Sequence, residues 1–129
     1  MLSVSDYNQL KILYDTYKKS SLLIKQLAEA DDWDSVENAV AEKDALLRKI
    51  IFFEKPRIKD IKDNSELIRI RNEIIEIEKR NIVLINQLKD AISHEISGVK
   101  SKKKIYGAYA PLGQDSVSTF QINDVFEES

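Results

Sequence analysis

The chain has 129 residues, of which 43% are hydrophobic and 33% are charged, and its formal net charge is -2. This composition suits a single helical domain rather than a disordered or membrane-spanning chain, and the charge gives no general attraction to nucleic acid. The absence of cysteine excludes disulfides, thiolate metal sites and cysteine nucleophiles. Because the N-terminus also lacks a signal-peptide pattern, we expect a cytoplasmic protein.

The first predicted helix runs from the N-terminus to about Ala30. Ser3 is the predicted N-cap, and Leu2 and Tyr7 have the spacing of a hydrophobic staple across it. One side of this helix carries the apolar residues Tyr7, Leu10, Leu13, Tyr14, Tyr17, Ile24 and Leu27. Their spacing predicts a helix that buries one face.

The second predicted helix follows an acidic turn around Trp33 and reaches about Glu54. Asp34 and Glu37 have the spacing of a capping box at its start, and Pro56 closes it. Trp33 is expected to be a core residue at the end of the bundle. The inward positions are Trp33, Val36, Val40, Leu47 and Ile50, with Ala39, Leu46 and Phe53 flanking them at heptad spacing.

The third predicted helix is the longest and carries two apolar edges. Residues 55–64 form a polar connection to it, Asp63 and Glu66 repeat the capping-box spacing, and it runs to about Ser97, before Gly98. One edge contains Ile68, Ile75, Ile82 and Ile96 at multiples of seven, and the other contains Leu67, Ile70, Ile74, Ile77, Leu84 and Leu88. Two edges require two contacts, so the second edge either belongs to the core or is open to another protein.

Short connections between long helices predict an all-α fold. The expected architecture is an antiparallel three-helix bundle or an elongated helical hairpin with a third helix alongside, formed by residues 1–104. Lysines 100 and 102–104 are expected to offset the dipole of the third helix.

Residues 105–129 form a predicted non-helical C-terminal tail, flexible or docked. Four of its residues are too apolar for a solvated linker, namely Val117, Phe120, Ile122 and Phe126. We expect them either to dock on the surface that a binding protein would use, and so to regulate access to it, or to pair with another subunit.

No catalytic or metal-binding constellation can be assembled from the sequence. His94 is the single histidine, with Glu95 as its one close acid, and the chain has no phosphate-binding loop. The sequence therefore predicts a protein that is not an enzyme and that holds no cofactor or metal.

Five segments, in their order along the chain, resemble flagellar export chaperones of the FliT/FlgN type. They are residues 32–37 (DWDSVE), 42–47 (EKDALL), 78–82 (EKRNI), 84–88 and 102–109 (KKKIYGAY). In those chaperones an acidic turn containing tryptophan leads into a helix with a charged pair before a leucine-rich end. The resemblance covers about residues 5 to 110.

The resemblance implies a small cytoplasmic chaperone that binds the C-terminal helical region of a late export substrate and delivers it to the flagellar type III secretion apparatus. The filament cap protein is the favoured client, and the hook-filament junction protein is the second. The alternative is a structural coiled-coil protein that forms a homo-oligomer, such as a homodimer, through the third helix. We predict no nucleic acid binding and no membrane insertion. The predicted client groove lies between the second and third helices and uses Leu46, Ile50, Phe53, Ile68, Ile75 and Ile82.

Overall fold

The computed structural model describes residues 1–95, which form three long helices and a short helical connection. The elements are α1 (Val4–Glu29), α2 (Trp33–Glu54), a 3-10 turn (Lys55–Arg57), α3 (Ile58–Lys62) and α4 (Ser65–Glu95), and residues 1–95 contain no strand. The lysine cluster at residues 100–104 and the tail residues Val117, Phe120, Ile122 and Phe126 lie outside the described residues.

The three long helices form an up-down-up bundle. On α1, Lys11 pairs with Glu66 of α4 and Lys18 pairs with Glu73, so the contacts advance along both helices in the same direction. Helix α2 runs the opposite way, because Glu54 at its end contacts Tyr14, whereas the earlier residue Lys43 meets the same Glu78 carboxylate as Ser21, further along α1. The predicted all-α three-helix bundle is confirmed. Helix α1 packs closely against both α2 and α4, whereas α2 and α4 approach each other less closely and are bridged by the long side chains of Lys43 and Arg71.

The starts of the first two helices are fixed by short polar side chains. Ser3 Oγ accepts a hydrogen bond from the Asp6 backbone N–H at 3.0 Å, which confirms the predicted cap of α1. The cap of α2 is Asp32 and not Asp34, because the Asp32 carboxylate accepts from the Ser35 N–H at 3.3 Å. Helix α2 therefore begins at Trp33, inside the acidic turn.

The turn between α1 and α2 holds Trp33 in place. Asp31 has φ of 59° in the left-handed region, which an aspartate tolerates better than most residues and which reverses the chain in few residues. Its carboxylate accepts a hydrogen bond from the indole N–H of Trp33 at 2.5 Å. The indole is 8% exposed, so the expectation of a core tryptophan at the bundle end is confirmed.

The connection between α2 and α4, which the sequence predicted to be polar, is helical and partly buried. The prediction of a polar connection missed Ile61 on α3, which is fully buried in the core. The cap of α4 is Asn64 rather than Asp63, because the Asn64 side chain accepts from the Leu67 N–H at 3.1 Å. At the start of both α2 and α4, the N-cap is the residue directly before the first helical residue, whereas the capping-box spacing predicted a nearby residue instead.

The buried apolar side chains form two clusters along the bundle axis. The first cluster lies around the α2–α4 connection and consists of Leu10, Tyr14, Tyr17, Leu47, Ile50, Ile61, Leu67, Ile70, Ile74 and Ile75. The second lies around the α1–α2 turn and consists of Ile24, Ala28, Trp33, Val36, Ala39, Val40 and Ile85.

Candidate functional site

A buried charge pair crosses the first apolar cluster and links all three long helices. We call Tyr14, Glu54 and Arg71 the Arg71 layer, after the guanidinium at its centre. Both the Tyr14 hydroxyl and Arg71 Nη1 donate hydrogen bonds to the Glu54 carboxylate, and Arg71 Nη1 also donates to the Tyr14 hydroxyl at 3.3 Å. Each helix contributes one member, and all three side chains are at most 2% exposed.

A second buried charge pair lies between the two apolar clusters. Ser21 of α1, Lys43 of α2 and Glu78 of α4 form what we call the Lys43 layer. Lys43 Nζ donates to the two carboxylate oxygens of Glu78 at 2.9 and 2.8 Å, and the Ser21 hydroxyl donates to the same carboxylate. The ammonium also stands over the Tyr17 ring at 5.3 Å. Next to this layer, the Asn81 amide donates to the Ser21 backbone carbonyl at 2.9 Å.

The environment of these layers shifts the pKa of two of their members. Burial lowers the pKa of Lys43 below its ordinary value, while the attraction of Glu78 opposes that shift. Burial raises the pKa of Tyr14 above its ordinary value, and the negative charge of Glu54 acts in the same direction. Because all of these groups lie inside the bundle, they join helices rather than contact a substrate.

We expect the buried hydroxyl of Tyr14 to make stability fall at high pH. Its raised pKa means that the folded state keeps the proton above pH 10, where tyrosine in the unfolded chain loses it. The stabilisation is therefore complete below pH 10 and is lost above it, at up to about 1.4 kcal/mol per pH unit. Urea unfolding from about pH 8 to about pH 11 should show a difference in unfolding free energy between wild type and Tyr14→Phe that stays constant at first and shrinks above about pH 10. Parallel curves would contradict the buried environment.

The structure places the six predicted groove residues in three locations, namely the core, the flank of α2 that faces α1, and α4. Ile50 and Ile75 are 0% and 8% exposed in the first apolar cluster, so they are not open to another protein in this conformation. Leu46, Phe53, Ile68 and Ile82 are partly buried beside the two clusters. Whether any of the six binds a client stays a prediction.

Phe53 lies on the flank of α2 that faces α1. The Arg57 guanidinium stacks on the Phe53 ring at 4.0 Å and forms an ion pair with Asp6 of α1 at 3.1 Å. Leu46, one heptad earlier, shares this flank. Because Phe53 and Leu46 face α1, they do not form one surface with Ile68 and Ile82 of α4. The structure therefore does not bring the α2 and α4 halves of the predicted groove together.

The opposite flank of α2 carries exposed apolar residues that the sequence interpretation did not select. Ile51 lies about 200° from Phe53 around the helix axis, which turns it toward α4. It is 42% exposed. Phe52, about 100° further around the helix, borders this flank on the outward side of α2 and is 82% exposed. We call Ile51, Phe52, Ile68 and Ile82 the α2–α4 outer surface. The run IIFF at residues 50–53 was the signal available in the sequence. Four consecutive residues of a helix cannot all face one core, so part of this apolar run has to be exposed.

The sequence interpretation also missed the buried charges, although a signal for them was present. Arg71 and Glu78 are seven residues apart on α4, each with isoleucines three and four positions away. A charged residue inside an apolar stripe is buried when another helix supplies the opposite charge, and α2 supplies it at both positions.

The comparison with protein families identifies the chain. The model of the family described as flagellar protein FliT matches residues 12–111, which is most of the chain. The chain belongs to the FliT family. Comparison with curated proteins and comparison with solved structures each return no match.

FliT membership confirms the resemblance seen in the sequence and defines the general class of activity. FliT is a family of flagellar export chaperones, so this member is a chaperone of flagellar proteins. The match includes the Trp33 turn, both polar layers and the described length of α4.

Two further structural observations concern the described part of this FliT chain. Within residues 1–95, no group of three or more His, Cys, Asp or Glu side chains is placed to hold a metal ion. None of the helices in that range combines the length and the apolar character needed to cross a membrane.

Proposed function

We propose that this FliT-family protein acts in the cytoplasm as an export chaperone that binds the C-terminal helical region of a late flagellar substrate and delivers it to the type III secretion apparatus. The filament cap protein is the preferred client, and the hook-filament junction protein is the second candidate. The family match over residues 12–111 carries this proposal. A client segment that must pack as a helix in the filament is apolar when free, and a helical chaperone can cover that surface reversibly.

The proposed client surface is the α2–α4 outer surface. Its members Ile68 and Ile82 are fourteen residues apart on α4, or about 21 Å, which is enough to contact four turns of a client helix. Phe52 supplies a large exposed aromatic side chain, and aromatic residues, Phe included, are enriched at protein interfaces. This surface retains Ile68 and Ile82 from the α4 half of the predicted groove, without the buried Ile75. It replaces the α2 half, because Phe53 and Leu46 face α1 and Ile50 is buried.

The Phe52→Ala variant tests this surface without disturbing the core. Because Phe52 is 82% exposed, we expect unchanged helical content and thermal stability, together with an affinity for the client helix that falls by about tenfold or more. Isothermal titration calorimetry with a peptide from the client's C-terminal region measures the affinity.

Ile12→Ala is the matched control for Phe52→Ala. Ile12 is 60% exposed on α1, away from the α2–α4 outer surface, and its truncation should leave affinity unchanged. Equal affinities for both variants and wild type would place the client elsewhere on the bundle. The same preparation, studied by sedimentation, tests the alternative of a homo-oligomer formed through α4.

The proposed regulation by the C-terminal tail concerns residues beyond those that the structure describes. Val117, Phe120, Ile122 and Phe126 remain the predicted docking residues, and the α2–α4 outer surface is the proposed place for them. Attachment to the same chain would give even weak docking an effective concentration in the millimolar range.

A further inference from the structure

Several contacts between the long helices repeat every seven residues and therefore do not define one alignment. The surface pairs Lys11–Glu66 and Lys18–Glu73, at 3.6 and 2.8 Å, have the lysine on α1 and the glutamate on α4 in both cases. After a slide of α4 by seven residues, Lys18 would meet Glu66, or Lys11 would meet Glu73. The apolar positions 68, 75 and 82 are all isoleucine, so they would also pack equally well after such a slide.

The two buried polar layers differ from these repeating contacts because their charges are reversed. In the Arg71 layer the acid, Glu54, is on α2 and the base is on α4. In the Lys43 layer the base is on α2 and the acid, Glu78, is on α4. Positions 71 and 78 are one heptad apart, so a slide that brings one of them to the place of the other also reverses the sign of its charge.

We propose that the two reversed layers select the register of α4 against α2. A slide in one direction would bring Glu78 opposite Glu54 and would place Ile85 opposite Lys43. A slide in the other direction would bring Arg71 opposite Lys43 and Asn64 opposite Glu54. Each alternative puts two like charges inside the bundle, where little water screens them, whereas the observed register pairs both acids with bases.

Exchanging the two charges on α4 alone tests the proposal with an unchanged composition. In the variant Arg71→Glu with Glu78→Arg, the observed register would place acid against acid and base against base, so it should be lost. A slide by one heptad moves α4 by about 10 Å along the bundle axis. Since the chain has no cysteine, Asn8→Cys and Gln87→Cys, at exposed positions on α1 and α4, allow a spin-label distance measurement in the full chain.

Exchanging the charges on α2 as well should restore the original register. Adding Lys43→Glu with Glu54→Lys returns opposite charges to both layers, and the Tyr14 and Ser21 hydroxyls can still donate to the acid in each. We therefore expect the wild-type distance in this fourfold variant. The α4 exchange alone should shift the distance by about 10 Å or abolish folding.

The surface variant Lys11→Glu with Lys18→Glu is the control. It reverses two charges on the α1–α4 face, and we expect it to keep the wild-type distance. The proposal is overturned if the α4 exchange folds with the wild-type distance, since the 55–64 connection and the apolar packing would then set the register. It is also overturned if the fourfold variant does not fold, or if it folds without the wild-type distance.

Discussion

Replacement of Lys43 by methionine should lower the free energy of unfolding by about 3–5 kcal/mol, because it leaves the buried carboxylate of Glu78 without its counter-charge. Lys43 and Glu78 are each at most 2% exposed, and two hydrogen bonds of 2.8 and 2.9 Å join them. The hydroxyl of Ser21 alone compensates the charge poorly. Equilibrium urea unfolding measures the change.

Removal of the whole layer should be much less harmful than removal of one charge. With Lys43→Met, Glu78→Leu and Ser21→Ala together, no buried polar group of the layer remains, and we expect stability within about 1–2 kcal/mol of wild type or above it. Lys49→Met, at an exposed position of α2, is the control and should change stability by less than about 0.5 kcal/mol. If Lys43→Met resembled this control, the pair would not be shielded from water.

The second large effect is expected at the end of the bundle that holds the α1–α2 turn. Trp33→Ala should cost about 3–5 kcal/mol, because the indole is 8% exposed in the second cluster and its removal leaves a cavity. It also removes the hydrogen bond to Asp31 that holds the turn between α1 and α2. Thermal unfolding followed by circular dichroism measures the loss.

Trp33→Phe separates packing from the hydrogen bond, since it keeps an aromatic ring and removes the indole N–H. We expect it to cost less than half as much as Trp33→Ala. A Trp33→Ala variant as stable as wild type would show that the second cluster is closed without the indole, and that Trp33 serves another role.

The sequence predicted the three long helices and the up-down-up arrangement because both follow from one signal, the long apolar periodicity with few helix-breaking residues. Gly98 is the first glycine and Pro56 the one proline before it, so little interrupts the apolar periodicity of residues 1–95. The cap assignments were less accurate. Acidic residues cluster at both junctions, and spacing alone does not distinguish Asp32 from Asp34 or Asn64 from Asp63.

The buried interior of the connection was not predictable from local pattern. Ile61 lies among charged neighbours in the run RIKDIKD, and its burial depends on the position that α3 takes below the first cluster. The same holds for Arg71 and Glu78, whose burial depends on charges that α2 supplies from residues 17 and 35 positions earlier. Pairing of this kind depends on register, which a single helix pattern does not contain.

The candidate client surface was predicted in part. Heptad spacing placed Ile68 and Ile82 beside a neighbouring helix, and the structure places both in partly buried positions on α4. The pattern could not divide α2 into the flank facing α1, with Phe53, and the flank facing α4, with Ile51. That division depends on which way the third helix packs around the first two.

Titration of the full-length chain with the C-terminal helical segments of the filament cap and junction proteins tests the central claim most directly. We expect one segment to bind one chain with a Kd at or below about 10 μM, with the cap segment binding more tightly, and the bound segment to gain helical circular dichroism. A folded chain that binds neither segment, and that instead self-associates with increasing concentration, would contradict the chaperone account.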